Sequence, residues 1–370
     1  MKINALLLVF GLTLSITVNA QLKVSHLKDE CHTENVFPYI EPTANSKVAE
    51  KINIFLQVDL LGIVPGAYTK CAFEQVMYDT SHCCSSVSFY EYTITKNSQT
   101  IFSVSMDGET MAAYPENRTW TYNFNAVNGD LISPEDIFTE SAYAKLKKQI
   151  TANRLKEVED FLAGLKTNPE SKDPDEIEFE NDQRQVYESC LEFITEEDFV
   201  HGSFLIENDK IIFIRERCSN HAMRAVDDLD KFYNEFLVKD IFNDLNAYGK
   251  ALFSENTTAL KTMAPSIRYN KLLKGTLNSK TPITCLFKTP YSDGSLSMVY
   301  WYDNHKTIIE WSGKLDGNRL ELVENDHHDE KLRKWIPRAL IEAAINQNII
   351  TGVWKDQKNG RSLPLKLIKY

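Results

Sequence analysis

The chain has 370 residues, of which 43% are hydrophobic, enough to build ordinary cores. It carries 41 lysines and arginines against 52 aspartates and glutamates, a formal net charge of -11. That balance argues against a nucleic-acid partner, because phosphate recognition needs a basic footprint to displace counterions.

Residues 1–20 read as a secretory leader: Lys2, an apolar stretch from Ala5 to Val18, then Val18-Asn19-Ala20 at the cleavage position. Gln21 is expected to open the mature chain, which would then lie in the periplasm or outside the cell. No later segment reads as a membrane helix, since Asp59 interrupts Ile52 to Val64 and Pro65-Gly66 ends it. All seven cysteines follow the leader, and an oxidising compartment makes disulfides the default. An odd count leaves at least one thiol unpaired within the chain. Cys31, Cys71, Cys83 and Cys84 form an N-terminal cluster. Cys190 and Cys218 flank a strand-like region and can pair, and Cys285 is the candidate free thiol. Spacing alone does not fix the connectivity.

Val48, Ile52, Phe55, Val58 and Leu61 recur at helical spacing, which predicts a helix over 44–61. Val87–Thr95, Ile101–Met106 and Thr119–Asn125 alternate as strands, with turns at Asp107-Gly108 and Asn128-Gly129, and predict an antiparallel meander. Ser133-Pro134-Glu135-Asp136 opens a helix, and a long one is expected over 141–165. The acidic, proline-bearing stretch 167–182 reads as a solvated loop, followed by a short helix over 183–193. Strands are expected at 198–206 and 210–214 about the Asn208-Asp209 turn, then a helix over 227–248. Residues 254–268 read as a linker. From Tyr269 onward strands dominate, with one helix expected over 329–347. The fold class is therefore α+β: an antiparallel sheet with packed helices over 21–253, then a smaller β-rich module containing one helix over 269–370.

Several short motifs carry a family resemblance. Ala49-Glu50-Lys51-Ile52-Asn53, Phe89-Tyr90-Glu91-Tyr92 and Ile101-Phe102-Ser103-Val104 are followed by Tyr122-Asn123-Phe124-Asn125 and Asn128-Gly129-Asp130-Leu131 through Asp136-Ile137-Phe138. In this order they resemble the domain of unknown function shared by the lysozyme-sensing anti-sigma factor RsiV and the peptidoglycan deacetylase PdaC, over the N-terminal two thirds. The chain departs from that pattern at Met111-Ala112-Ala113-Tyr114-Pro115, where the family carries a Gly-Gly-Ala-His-like segment. The C-terminal module is similar to β-rich modules in exported proteins of Bacteroidota, through Tyr300-Trp301-Tyr302-Asp303, Gly313-Lys314-Leu315 and Gly352-Val353-Trp354. The resemblance implies a secreted, envelope-associated, non-catalytic binding protein whose partner is a cell-wall glycan or a lysozyme-like protein. The alternative is a hydrolase acting on an envelope substrate through a carboxylate or metal site.

The residues themselves carry no catalytic signature. There is no Gly-x-Ser-x-Gly elbow, no His-Glu-x-x-His and no glycine-rich phosphate loop. His327-His328-Asp329-Glu330 is a poor chelate, because adjacent histidines point to opposite faces of a strand or helix. Cys218 to His221, and His82 beside Cys83-Cys84, have metal-like spacing, but oxidised cysteines offer no thiolate. No metal or cofactor is expected. Tyr300, Trp301 and Tyr302 form a candidate aromatic binding surface, weighed against the plainer reading that they fill a small β core.

Overall fold

The structure is a computed structural model and describes residues 21–42, 46–68, 70–77, 86–111, 115–165, 173–195, 203–263, 269–291, 293–329 and 333–370. Helix α1 (Ser46–Leu61) is its axis, with 12 of 16 residues buried. A helix apolar on nearly all sides must be covered on all sides. One side packs on the meander β3 (Ser86–Asn97), β4 (Ile101–Met111) and β5 (Pro115–Asn125). There Phe55 meets the rings of Tyr122 and Phe124 edge-on at 5.9 and 5.7 Å. Another side takes Leu272, Leu286 and Trp301 from the C-terminal module into the same core. A two-stranded ribbon, β1 (Val24–His26) with β2 (Pro38–Ile40), is clamped to α1. The Asn53 side chain accepts from the Ile40 N–H and donates to its carbonyl.

After β5 the chain turns through Gly129, whose φ of +75° only glycine adopts without strain. It then enters the short helix α2 (Pro134–Ile137), where Asp136 accepts from the Ser133 N–H at 3.0 Å. Helices α3 (Glu140–Leu165) and α4 (Pro174–Phe193) form an antiparallel hairpin. A second sheet follows: β6 (Ser203–Glu207), β7 (Lys210–Arg215) and β8 (Phe232–Leu237). Asn123 stitches it to the meander, donating to the Phe204 carbonyl and accepting from the Ile206 N–H. Helices α5 (Ala247–Phe253) and α6 (Thr257–Thr262) lead out of this unit.

The remaining strands are β9 (Lys271–Leu277), β10 (Thr281–Phe287), β11 (Ser295–Tyr302), β12 (Ile309–Asp316), β13 (Arg319–Asp329), β14 (Lys334–Asn346), β15 (Ile349–Asp356) and β16 (Ser362–Lys369). Each pairs antiparallel with the next, and β16 returns to β9, Leu367 opposite Gly275, so the sheet is a closed barrel. Closure removes both sheet edges. At Gly275 an added Cβ would lie 1.8 Å from the Lys366 carbonyl oxygen, so only glycine lets β9 and β16 meet there. The lumen is a packed core of Leu273, Ile283, Met298, Trp311, Leu322 and Trp354, among others. Outward positions carry Glu321, Glu342, Lys355 and Lys366. This is the inverse of a lipid-facing barrel, which is apolar outside. No described helix is long and apolar enough to cross a membrane.

A carboxylic side chain is buried in the lumen. Glu324 is 1% exposed, and its Oε2 accepts from Tyr300 Oη at 2.8 Å, Trp311 Nε1 at 3.0 Å and Trp354 Nε1 at 2.9 Å. Arg338 Nε lies 3.4 Å from Oε1.

The α+β class stands, with antiparallel sheets and packed helices followed by a β-rich module, but several elements are corrected. The helix expected over 329–347 is strand β14. Ala339, Ile341 and Ala343 face the lumen and Leu340 and Glu342 face out, a period of two hidden by residues that favour helices. The helix expected over 227–248 is β8, a 3-10 turn at Phe242–Asp244 and the start of α5, with Phe232 and Asn234 buried on one strand face. The acidic loop is shorter than expected, because Asp173 caps α4 and Pro174 opens it. α6 lies within the expected linker.

Candidate binding cleft

A cleft of about 750 Å³ lies where the α+β unit meets one rim of the barrel. Two motifs meet there. The strand-turn-helix segment contributes β5 from Thr119 to Asn123 and the run Leu131 to Glu135. The barrel contributes Tyr269, Asn270, the β10 exit from Phe287 to Tyr291, and the β12–β13 turn at Gly317-Asn318. A buried ion pair ties the two walls together. Lys271 Nζ, at the start of β9, lies 2.7 Å from Asp136 Oδ2 and also donates to the Leu131 carbonyl. Both side chains are 1% exposed, so the pair is shielded from solvent and salt.

One wall is polar. Tyr143 of α3 donates to Glu135 Oε1 at 2.9 Å. Burial first, and then Glu135, push the Tyr143 hydroxyl far above the usual phenol range, while Arg215 acts against them. It therefore stays a neutral donor at any physiological pH. Arg215 ends β7, only 5% exposed, and lines the same cleft. Some polar groups here are committed to structure. Thr121 and Asn123 both donate to the Phe204 carbonyl, and Asn270 bonds the Thr289 hydroxyl at 2.8 Å.

The opposite rim is aromatic. Tyr291 is 58% exposed and Tyr269 is 38% exposed, the latter standing edge-on to Phe287 at 5.6 Å. Trp120 and Phe204 add rings from the α+β side. Exposed ring faces beside hydroxyls, amides and a guanidinium provide stacking and oriented hydrogen bonding in one concavity.

The expected site residues fall elsewhere. Tyr300 points into the barrel and is fully buried, Trp301 packs on the α1 core at 3% exposure, and Tyr302 is half-buried. Successive residues of β11 face the lumen and the inter-unit core in turn, so the expected aromatic surface does not form there. Cys31 is bonded to Cys71 and Cys190 to Cys218, while Cys285 is a buried free thiol on the barrel wall. His82, Cys83 and Cys84 lie outside the described residues. With Cys218 oxidised, the Cys218–His221 spacing offers no thiolate. His327 and His328 occupy successive positions of β13, and the His328 ring stands against Trp335 at 5.5 Å. Among the described residues, the one grouping with metal-like geometry is Cys31, Cys71 and Glu74, whose two sulfurs are bonded to each other.

Sequence reasoning missed the cleft because its walls come from nine separate segments of the chain. It also missed Glu324, although Leu320, Leu322 and Glu324 share one phase of the strand alternation, the signal that marks an inward acid.

No family model matches the chain, and no curated protein does. Among solved structures, the chain is similar to the crystal structure of a DUF3298-family member from Bacteroides fragilis. The two share 13% identity over 66% of this chain and 96% of that one, with a TM-score of 0.37.

Proposed function

We propose that this chain is an exported, non-catalytic binding protein that holds a glycan-containing envelope ligand in the cleft between its α+β unit and its barrel. The cleft's composition carries the reading: exposed tyrosine rings on one rim face Glu135, Tyr143 and Arg215 on the other. Sugar rings offer apolar faces to stack on and hydroxyls to orient, and a pocket of about 750 Å³ is in the size range of small-ligand sites. Export is supported by the leader-like residues 1–20 and by two disulfides, which persist in oxidising compartments. A concave site favours a glycan over a folded lysozyme-like partner, whose interface would be broader and flatter.

Calorimetric titration of the purified protein with soluble peptidoglycan fragments tests this. Saturable binding is expected, weakened about tenfold by Tyr291→Ala through the loss of an aromatic anchor. Binding that ignores both Tyr291→Ala and Arg215→Met would sink the cleft as the site. Turnover of the fragments by the wild-type protein would replace the reading with the hydrolase alternative.

A further inference from the structure

The barrel's longest hairpin leaves the barrel. Strand β12 accompanies β13 only as far as Trp311 opposite Glu324, and β15 accompanies β14 only as far as Asp356 opposite Ala339. Beyond those points Asn325 pairs with Pro337, His327 with Ile336, His328 with Trp335 and Asp329 with Lys334, and among the described residues no third strand pairs with them. Irregular register between Glu324 and His327 marks where the ribbon departs. About five residues per strand project, roughly 16 Å at strand rise. A bare two-stranded ribbon is marginal in water. It nevertheless displays Trp335 at 59% exposure, with the His328 ring edge-on to it at 5.5 Å.

Charge at this end runs against the rest of the chain. Arg333, Lys334 and Arg338 are exposed on the ribbon. The adjoining β15–β16 turn, held by the Gln357 N–H on the Arg338 carbonyl, adds exposed Lys355, Lys358 and Arg361. Over 325–329, 333–338 and 355–361 the sequence holds six lysines and arginines against three acids, Asp326, Asp329 and Asp356, in a chain where acids exceed bases by 52 to 41. His327 and His328 are exposed beside them.

We propose that this ribbon is a membrane-surface anchor, which seats Trp335 at the headgroup level of an anionic bilayer while the surrounding cations meet lipid phosphates. Indole partitions to the membrane interface, and basic residues near an anionic leaflet each add attraction. Trp335 stands among the cations, one pair in from the outermost Asp329–Lys334 pair, with Arg333 and Lys334 toward the tip and Arg338 toward the barrel. A soluble polyanion would need the cations but not the projecting indole. The anchor stands at the rim opposite the cleft, since Glu324, Trp354 and the ribbon mark one end of the barrel and Tyr269, Asn270 and Asn318 the other. A protein docked by the ribbon keeps its cleft open to solvent.

The test is co-sedimentation of the full exported protein with vesicles of phosphatidylcholine alone and of an equal mixture with phosphatidylglycerol, at about 0.15 M salt. Binding to the anionic vesicles alone is expected, with a blue shift of tryptophan emission. Trp335→Ser should weaken binding about tenfold and abolish the shift, and Arg333→Glu with Lys334→Glu should weaken it at least as much. Circular dichroism of these surface variants checks that they are folded. No binding to either vesicle overturns the proposal. So does binding that survives Trp335→Ser, or binding to a soluble polyanion such as heparin without binding to anionic vesicles.

Discussion

The α+β unit and the barrel close their cores by different means. The α+β unit is built on two three-stranded sheets with open edges, so helices, side-chain clamps and two disulfides complete it. The closed part of the barrel has no edge, and its one cysteine is a free thiol within the wall. Their buried acids differ in the same way. Asp130 and Asp136 are met by the full charges of Lys51, Lys369 and Lys271, each reaching from a distant part of the chain. Glu324 takes three neutral donors from three other barrel strands, with Arg338 beside it. Charged pairs fasten one unit to the other, whereas neutral donors organise the inside of a unit that already closes on itself.

The largest effect should come from the barrel. Glu324→Ala strands three buried donors, each costing roughly 1–3 kcal/mol, so we expect a loss of about 5 kcal/mol in urea unfolding followed by tryptophan fluorescence. A loss below about 1 kcal/mol would mean that water or repacking satisfies those donors. Next is the α+β unit. The disulfides span 40 and 28 residues, and replacing either pair with alanines should cost about 3–4 kcal/mol, read from the urea midpoint. A reductant that lowers the midpoint of the wild type but not of the double-pair variant would assign the sensitivity to these bonds and not to Cys285.

The fastening between the units comes third. Lys271→Met leaves Asp136 buried without its counter-charge, and we expect a loss of about 3 kcal/mol, largely recovered when Asp136→Leu is added. No recovery would mean that the Asp136 bond to the Ser133 N–H outweighs the ion pair. The smallest effect concerns pH. Burial alone would raise the Asp130 carboxyl, but Lys51, Lys369 and Lys271 together hold it below its ordinary value of 3.8. A depressed acid stabilises fully above its unfolded value and loses that contribution as pH falls through the folded value. The stability gap between wild type and Asp130→Asn should therefore hold above about pH 5 and shrink as pH falls below about 4, and a constant gap would contradict the shift.

The sequence was most legible where local pattern and tertiary demand agree. The motif asparagines are a case in point. Asn53 clamps β2, Asn123 stitches the two sheets and Asn125 bonds Tyr248, so each is a buried amide whose geometry few other side chains reproduce. The helix and meander that carry them follow from ordinary periodicity. Strand β14 was illegible because the lumen opposite it is filled by Trp311 and Trp354, which leaves room mainly for small residues. Ala339 and Ala343 then imitate a helix. The cleft was illegible for a different reason: Tyr143, Arg215 and Tyr291 share no local pattern, and only the docking of the barrel on α1 brings them together.

Barrel closure also sets a clock. β9 waits for β16, about ninety residues downstream, whereas the cysteine pairs of the α+β unit are complete once Cys218 has emerged. Until β16 docks, Cys285 lies on an unclosed sheet, where its thiol is open to exchange with a disulfide. Once β16 docks, burial drives the thiol far above its usual range, and the thiolate that would attack a disulfide is no longer formed. The strand that closes the barrel is thus also the one that seals this thiol away from exchange.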